Sequence, residues 1–490
     1  MKNLFYLFLF LLTGNFMAQS NINFDDYFSD STMRIDYHHI GDSEMELVTI
    51  DKIHKYGNWA GSLKNLLDEF NNGRYYYRIY DLESGKLIYS KGFDSYFGEY
   101  KSSSEAANGI KKAFHETALI PYPKDKIKFV LERRKKDKTM EEFFSTEIDP
   151  ADIMIVREEI KDEQVKVVES EINGNPHNKV DIVFVGEGYI KEEEEKFRSD
   201  LKKFTEIFFK PEPYKSNRKK FNIYGVFKPS EETGVDEPRA DIYKNTALNA
   251  TFNSMGSERY LLTEDNKTLH DLAAHVPYDA IFVMTNHERY GGGGIYNFFC
   301  TFTTDNQWQD YLLIHEFGHS FAGLADEYYT SDVAYNDFYP PGVEPVEPNI
   351  TALLDKNNLK WKELKTAGVE LPTPWRKLQF DESDLAWQKR RREMNNKIAE
   401  LKRNKASEEE IKNAEKAYAE ADKAHAEEID DFFKKSEFKN IVGAFEGAGY
   451  ASEGLYRPML DCIMFTKGGD KPFCKVCQKA IERVINHYAE

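Results

Sequence analysis

Three rhythms of hydrophobic and polar positions divide the chain. From residue 21 to about 150, apolar residues come in short alternating or aromatic-rich runs separated by turn residues. Residues 33–39 and 45–53 flank Gly41-Asp42, residues 74–80 and 86–89 flank Glu83-Ser84-Gly85, and further runs cover 126–131 and 142–147. Short strands joined by such turns predict an antiparallel sandwich or barrel. Near residue 180 the rhythm changes. Val180-Asp181-Ile182-Val183-Phe184-Val185 is a nearly continuous β-branched run ending at Gly186, as expected of a central strand covered on both faces. Phe197, Leu201, Phe204 and Phe208 then recur at helical spacing among charges, which predicts an amphipathic helix over 191–209. Residues 221–227 and 280–285 read as further strands of an α/β or α+β core.

A third rhythm fills residues 385–433, dense in Glu, Lys, Arg and Ala. Met394, Ile398 and Leu401 form one stripe, and Ile411, Ala414, Tyr418 and Ala421 form another at heptad spacing. Asn404-Lys405-Ala406-Ser407 breaks the pattern, and Ser407 with Glu410 is a capping box that restarts a helix. The pattern predicts an antiparallel two-helix hairpin, residues 383–436, inserted into the second unit. It is either a solvated stabilising arm or an arm that binds a partner or substrate. His425 falls in its stripe and reads as a core or surface histidine. The fold class expected is α+β, with a β-sandwich-like domain over 19–160 and an α/β domain over 161–490 that carries the hairpin.

Composition adds limits. At 490 residues, with 41% hydrophobic and 14% aromatic side chains, the chain can bury sizeable cores, so global disorder is excluded. The net charge of -18 lies in mixed-sign runs, which argues against a nucleic-acid partner. Lys2, an apolar run over 4–12 and Phe16-Met17-Ala18-Gln19 read as a signal peptide over 1–18. No later run approaches the ~20 apolar residues of a membrane span. The expectation is therefore an exported protein, periplasmic or secreted, with no integral membrane segment after cleavage. The four cysteines, Cys300, Cys462, Cys474 and Cys477, allow three disulfide pairings. Cys474-x-x-Cys477 can also ligate a metal or do redox work, and structural roles are expected. His38 and His39 are adjacent and so point to opposite faces of a strand, which leaves no catalytic constellation expected in the first domain.

The candidate chemistry lies in His315-Glu316-Phe317-Gly318-His319. Tyr311, Leu312 and Ile314 give this stretch an apolar helical side, with Thr304-Asp305 as its expected cap. Four residues apart on a helix, His315 and His319 project from one face and can share one Zn²⁺, while Glu316 can reach the attacking water without ligating. Composition alone gives roughly 0.03 accidental matches to such a motif in this chain. A catalytic zinc needs a third protein ligand. The sequence beyond His319 resembles the metzincin pattern, in which a glycine ends the helix and the third ligand sits three residues past it. Here Gly323 lies four residues past His319, one more than in that pattern, and Asp326 lies three past Gly323. Asp326 is the expected ligand and Glu327 its rival. Cys462-Ile463-Met464 resembles the turn that underlies the metal in metzincins, with Met464 as structural support. Tyr290-Gly291-Gly292-Gly293-Gly294 leads into a run that reads as a cleft-wall strand, whose edge an extended peptide could pair with.

Together these segments resemble peptidase family M64, whose namesake is an immunoglobulin A endopeptidase. The matching pieces include Val183-Phe184-Val185-Gly186-Glu187-Gly188-Tyr189, Arg289-Tyr290-Gly291-Gly292-Gly293-Gly294 and the run from His315 through Tyr329. Phe445-Glu446-Gly447-Ala448-Gly449-Tyr450, Leu455-Tyr456-Arg457-Pro458, Cys462-Ile463-Met464 and Phe473-Cys474-Lys475-Val476-Cys477 complete the match, which covers most of 178–490. The N-terminal region is similar to the β-rich domain that precedes this peptidase in related exported proteins. The resemblance implies a zinc-dependent endopeptidase acting on a protein or peptide substrate, without fixing that substrate as immunoglobulin. Two other readings stand beside it: a zinc amidase or peptidase acting on cell-wall peptides, and a surface protein that binds a host protein or glycan.

Overall fold

The computed structural model describes residues 22–157, 159–330 and 339–490; the signal peptide expected over 1–18 lies outside the described residues. The N-terminal part is built from β1 (Phe28–Gly41), β2 (Glu46–Tyr56), β3 (Tyr75–Asp81), β4 (Leu87–Phe93), β5 (Lys112–Pro123), β6 (Ile127–Arg134) and β7 (Met140–Ile148). They form two antiparallel sheets, ordered β2-β1-β5 and β4-β3-β6-β7. Met33, Ile35 and Tyr37 from one sheet meet Tyr75, Tyr77, Ile79 and Phe129 from the other in a shared core. This is a sandwich, as the short alternating runs require. Strand β5 was not legible from alternation. Its inward positions run Phe114, Glu116, Ala118, Ile120, and the carboxylate breaks the apolar rhythm.

Glu116 is tolerated in the interior because His39 meets it. His39 Nδ1 lies 3.0 Å from Glu116 Oε2 and Nε2 lies 3.0 Å from Glu46 Oε1, with the imidazole stacked on Phe97. Burial alone would lower the histidine pKa, but the two carboxylates more than reverse this and raise it to about 9. Glu46 is depressed below the usual carboxylate range: burial opposes its ionisation, and His39 and Lys101 outweigh that. The signs give a window. The raised histidine contributes stability that is complete below its unfolded pKa of about 6.5 and is lost as pH rises through about 9. The depressed glutamate contributes stability that is present above about 4.5 and lost as pH falls. His39→Gln is expected to destabilise the sandwich by about 3 kcal/mol near pH 6. In thermal melts, its deficit against the native chain should shrink as pH approaches about 9.5. A deficit that does not change with pH would show that His39 is neutral in the folded state.

The second part carries a six-stranded mixed sheet of β8 (Lys166–Glu171), β9 (Val180–Glu187), β10 (Phe221–Phe227), β11 (Ala280–Thr285), β12 (Gly292–Ile295) and β13 (Phe299–Thr303). The order is β12-β13-β11-β9-β10-β8; the inner four strands run parallel and the two edge strands antiparallel to their neighbours. Every residue of β9 is buried, as a central strand covered on both faces demands. One face packs against helices Glu194–Phe208, Gln309–Ala322 and Lys475–Ala489, through residues such as Phe184, Phe204, Phe282, Phe317 and Ile481. The opposite face, through Val183, Val185 and Val283, packs on helix Asn266–Ala273 and on Tyr96, Phe97 and Phe114 of the sandwich. The fold is α+β, and the sandwich serves as one layer over the second sheet. Arg34 fastens the two parts, with Nη1 2.6 Å from Asp271 Oδ1.

Two 27-residue helices, Lys377–Arg403 and Glu408–Lys434, lie antiparallel, joined by the turn at 404–407. Ser407 and Glu410 form the reciprocal capping box that starts the second helix. No helix among the described residues is long and apolar enough to cross a membrane. All four cysteines are buried and free.

Candidate metal centre

Helix Gln309–Ala322 runs under the cleft edge of the sheet. Its N-cap is Trp308, not Thr304-Asp305. Thr304 is already committed to the sheet, its N–H and hydroxyl both donating to the Thr285 carbonyl. The helix ends at Gly323, whose φ of 59° is the left-handed conformation that glycine adopts without strain, and Gly323 N–H closes back on His319 O at 3.0 Å. That turn sends the chain back toward the helix. Asp326 Oδ1 comes to rest 3.2 Å from His315 Nε2 and 3.1 Å from His319 Nε2, and the two Nε2 atoms lie 3.1 Å apart.

Three donors therefore converge. His315 Nδ1 faces the Ile463 carbonyl at 3.0 Å and His319 Nδ1 faces the Leu324 carbonyl at 2.6 Å. Carbonyls only accept, so each Nδ1 carries a proton, and with the rings neutral each would turn a lone pair inward at Nε2. Two lone pairs and a carboxylate oxygen facing one point suit a cation. Bonds of about 2.0–2.1 Å to a tetrahedral ion would separate such donors by about 3.3 Å, close to what is seen. With the ring protons in place instead, burial would lower the His319 pKa, but the Asp326 charge and hydrogen bond raise it to about 9. Burial pushes the Asp326 carboxyl up, but His319 and His315 outweigh it and hold it well below the usual range. Tyr450 donates its hydroxyl to Asp326 Oδ2.

Glu316 is buried beside this cluster, within 4.8 Å of both imidazoles. The atom that touches both rings, however, is the Asp326 oxygen. Burial raises the Glu316 carboxyl pKa, partly offset by His315 and His319. Met464 lies beneath the helix, so that a Cβ on Gly318 would stand 3.0 Å from its sulfur. Glu327 N–H donates to the Met464 carbonyl at 2.8 Å. The Glu327 carboxylate points elsewhere: it accepts from Asn349 Nδ2 at 3.0 Å and lies 3.5 Å from Cys477 Sγ.

The cleft-wall strand is β12, formed by the glycines themselves, and not the run after them, which is the interior strand β13; Gly293, Gly294 and Ile295 line the cleft. The glycines of β12 permit contact with the helix. A Cβ on Gly294 would stand 2.4 Å from Glu316 O and 2.9 Å from His319 Cβ. Gly294→Ala is expected to force the strand off the helix at a cost of about 1–3 kcal/mol. A lowered melting temperature together with reduced metal retention would show this, and a variant that melts like the native chain would refute the close packing.

The cleft has room of about 210 Å³. Several of its walls carried no signal in the sequence. Trp387, Arg391 and His425 of the hairpin line it, so this arm forms a cleft wall as well as a surface. His425 pairs with Asp384 at 2.9 Å and stacks on Trp387. The hairpin docks through buried Asp422, which accepts from Trp308 Nε1 at 2.6 Å and pairs with Lys467 at 2.7 Å. Arg259 lies over the Tyr328 ring, 5.5 Å from its centroid, in the same cleft. The sandwich also reaches it, with Asp94 and Glu99 on its wall and Asn72 Nδ2 3.5 Å from the Ala322 carbonyl. The expectation for that domain holds no catalytic constellation; Asn72 and Asp94 lie in loops and Glu99 in the short helix Tyr96–Lys101, where no spacing marks them.

Residues 168–485 match the family described as IgA Peptidase M64, and residues 23–145 match Peptidase M64 N-terminus. No curated protein matches the chain. Two matches that together span nearly all of the described chain meet a cleft built around two histidines, a buried glutamate and an aspartate. The chain belongs to peptidase family M64, a family of metallopeptidases, and carries that family's N-terminal domain ahead of the peptidase domain.

Proposed function

We propose that the protein is an exported, zinc-dependent endopeptidase, with the metal held by His315, His319 and Asp326 and the reaction driven by Glu316 as general base. The convergence of three donors 3.1–3.2 Å apart carries this reading. Two neutral imidazoles and one carboxylate form a donor set suited to Zn²⁺, with one coordination position left for chemistry. Zinc, when bound, polarises the scissile carbonyl and acidifies the water that attacks it.

The chain's own residues do the rest. Glu316 takes the proton from the attacking water and later delivers it to the leaving amine. The carbonyls of Ile463 and Leu324 hold both imidazoles in the tautomer that binds metal. Gly292 already pairs with Arg259 and Leu261, and the β12 edge beyond it offers backbone groups to an extended peptide lying across the cleft. That mode of holding substrate favours internal peptide bonds, because the chain can continue past both ends of the strand. The hairpin wall of Trp387, Arg391 and His425 then decides which side chains fit.

The test is direct. Protein purified without chelator should contain zinc and cut an unstructured protein at internal bonds. A chelator should abolish cutting and added Zn²⁺ should restore it. Metal-free protein with full activity would defeat the proposal, and release of terminal residues alone would defeat its endopeptidase part.

A further inference from the structure

Glu327 and the three C-terminal cysteines converge on a point that the proposed reaction does not use. Cys474 Sγ lies 3.5 Å from Cys477 Sγ, which lies 3.9 Å from Cys462 Sγ and 3.5 Å from Glu327 Oε1. All four donor atoms fall within 4.8 Å of one another, and none of these residues is more than 4% exposed. Around a tetrahedral zinc, sulfurs at about 2.3 Å and an oxygen at about 2.0 Å would stand about 3.8 Å apart for S···S and about 3.5 Å for S···O. The observed separations follow those edges.

Two further observations point to a ligand. Glu327 Oε2 is fully buried and has no hydrogen-bond partner among the described residues. An unpartnered carboxylate oxygen in an apolar interior is costly unless a cation meets it. The backbone also supplies donors to two of the sulfurs. Cys474 N–H donates to Cys462 Sγ at 3.2 Å and Cys477 N–H donates to Cys474 Sγ at 3.5 Å, with Cys474 as N-cap of helix Lys475–Ala489. Amide N–H groups aimed at sulfur are the contacts that a metal-bound cysteine sulfur accepts.

We infer that Cys462, Cys474, Cys477 and Glu327 hold a second zinc ion, structural in role. Three sulfurs and one oxygen are a donor set for a thiophilic divalent cation rather than for Mg²⁺ or Ca²⁺. Four protein ligands close the site and leave no position for substrate. On binding, the thiols give their protons to solvent. The position gives this ion its purpose. Glu327 directly follows Asp326 and donates its N–H to the Met464 carbonyl. Cys462 directly precedes Ile463, whose carbonyl orients His315. One ion thus ties the Asp326 loop and the Met464 turn to the C-terminal helix, fixing the supports of the catalytic donors from outside the cleft.

The test uses the full chain and its His319→Ala variant, both purified without chelator. Elemental analysis should find about two zinc ions per native chain and about one in the variant. After exchange with Co²⁺, the His319→Ala protein should show the near-ultraviolet charge-transfer absorption of thiolate-bound cobalt, and adding Cys477→Ser should remove it. If the cysteine variant does not fold, the spectrum of His319→Ala alone decides. A His319→Ala protein free of metal, bound cobalt without that absorption, or an intact mass showing a disulfide among these cysteines each overturns the site. Failure of the catalytic reading would look different: the thiolate-bound ion would remain, and His319→Ala would not change the metal count.

Discussion

Glu316→Gln is expected to keep its metal and lose about 10²–10⁴-fold in kcat. Glutamine fills the same space beside β12, where a Cβ on Gly292 would already stand 2.9 Å from Glu316 Oε1, so the strand and helix stay packed. The amide cannot accept the water proton, so the reaction loses the base that lies beside both imidazoles. His315, His319 and Asp326 are untouched, since the oxygen bridging the two Nε2 atoms belongs to Asp326. Zinc content and steady-state kinetics on one peptide decide the matter together. Full activity would remove Glu316 from its role. Loss of zinc along with activity would make Glu316 a ligand and reopen the place given to Asp326.

How legible this site is from the sequence depends on how local each contact is. His315, Glu316 and His319 sit within one and a half helical turns, so spacing alone puts the two histidines on one face. Gly323 and Asp326 are also local, and the left-handed turn that returns the chain follows from the glycine. Glu327 was a plausible rival at the same ion because neighbours in sequence look interchangeable. Only the fold separates them, turning one carboxylate to the histidines and the next to cysteines about 150 residues away. The hairpin is legible from its stripes and capping box, but which face meets the cleft depends on Asp422 finding Trp308. Strand β5 was hidden by Glu116, whose partner His39 lies on another strand. Periodicity reports what a segment buries, and a buried ion pair is invisible to it until both members are in place.

The fourth role, that of Asp326, gives the second large effect. Asp326→Ala should lower zinc affinity by well over 100-fold, more than outer hydrogen-bond partners of a metal site contribute. The side chain is buried, and among the described residues its Oδ1 is the carboxylate atom that meets both Nε2 atoms. Alanine leaves a two-histidine pair, which cannot hold a catalytic zinc against water and buffer. Tyr450→Phe supplies the scale for comparison. It deletes the hydroxyl that donates to Asp326 Oδ2 but leaves Oδ1 in place, so its loss should stay within about 10–100-fold. Competition with a zinc-sensitive dye measures both variants on one axis. The ordering carries the argument: if Tyr450→Phe lost as much metal as Asp326→Ala, the aspartate would be acting through its hydrogen bonds. If Asp326→Ala bound zinc like the native chain, the ion would not sit between the two histidines and this carboxylate. Zinc at the cysteine cluster must be counted separately, so the titration starts from protein whose tightly held equivalent has been measured. The expected result is then selective loss of the cleft ion, with the thiolate-bound ion retained.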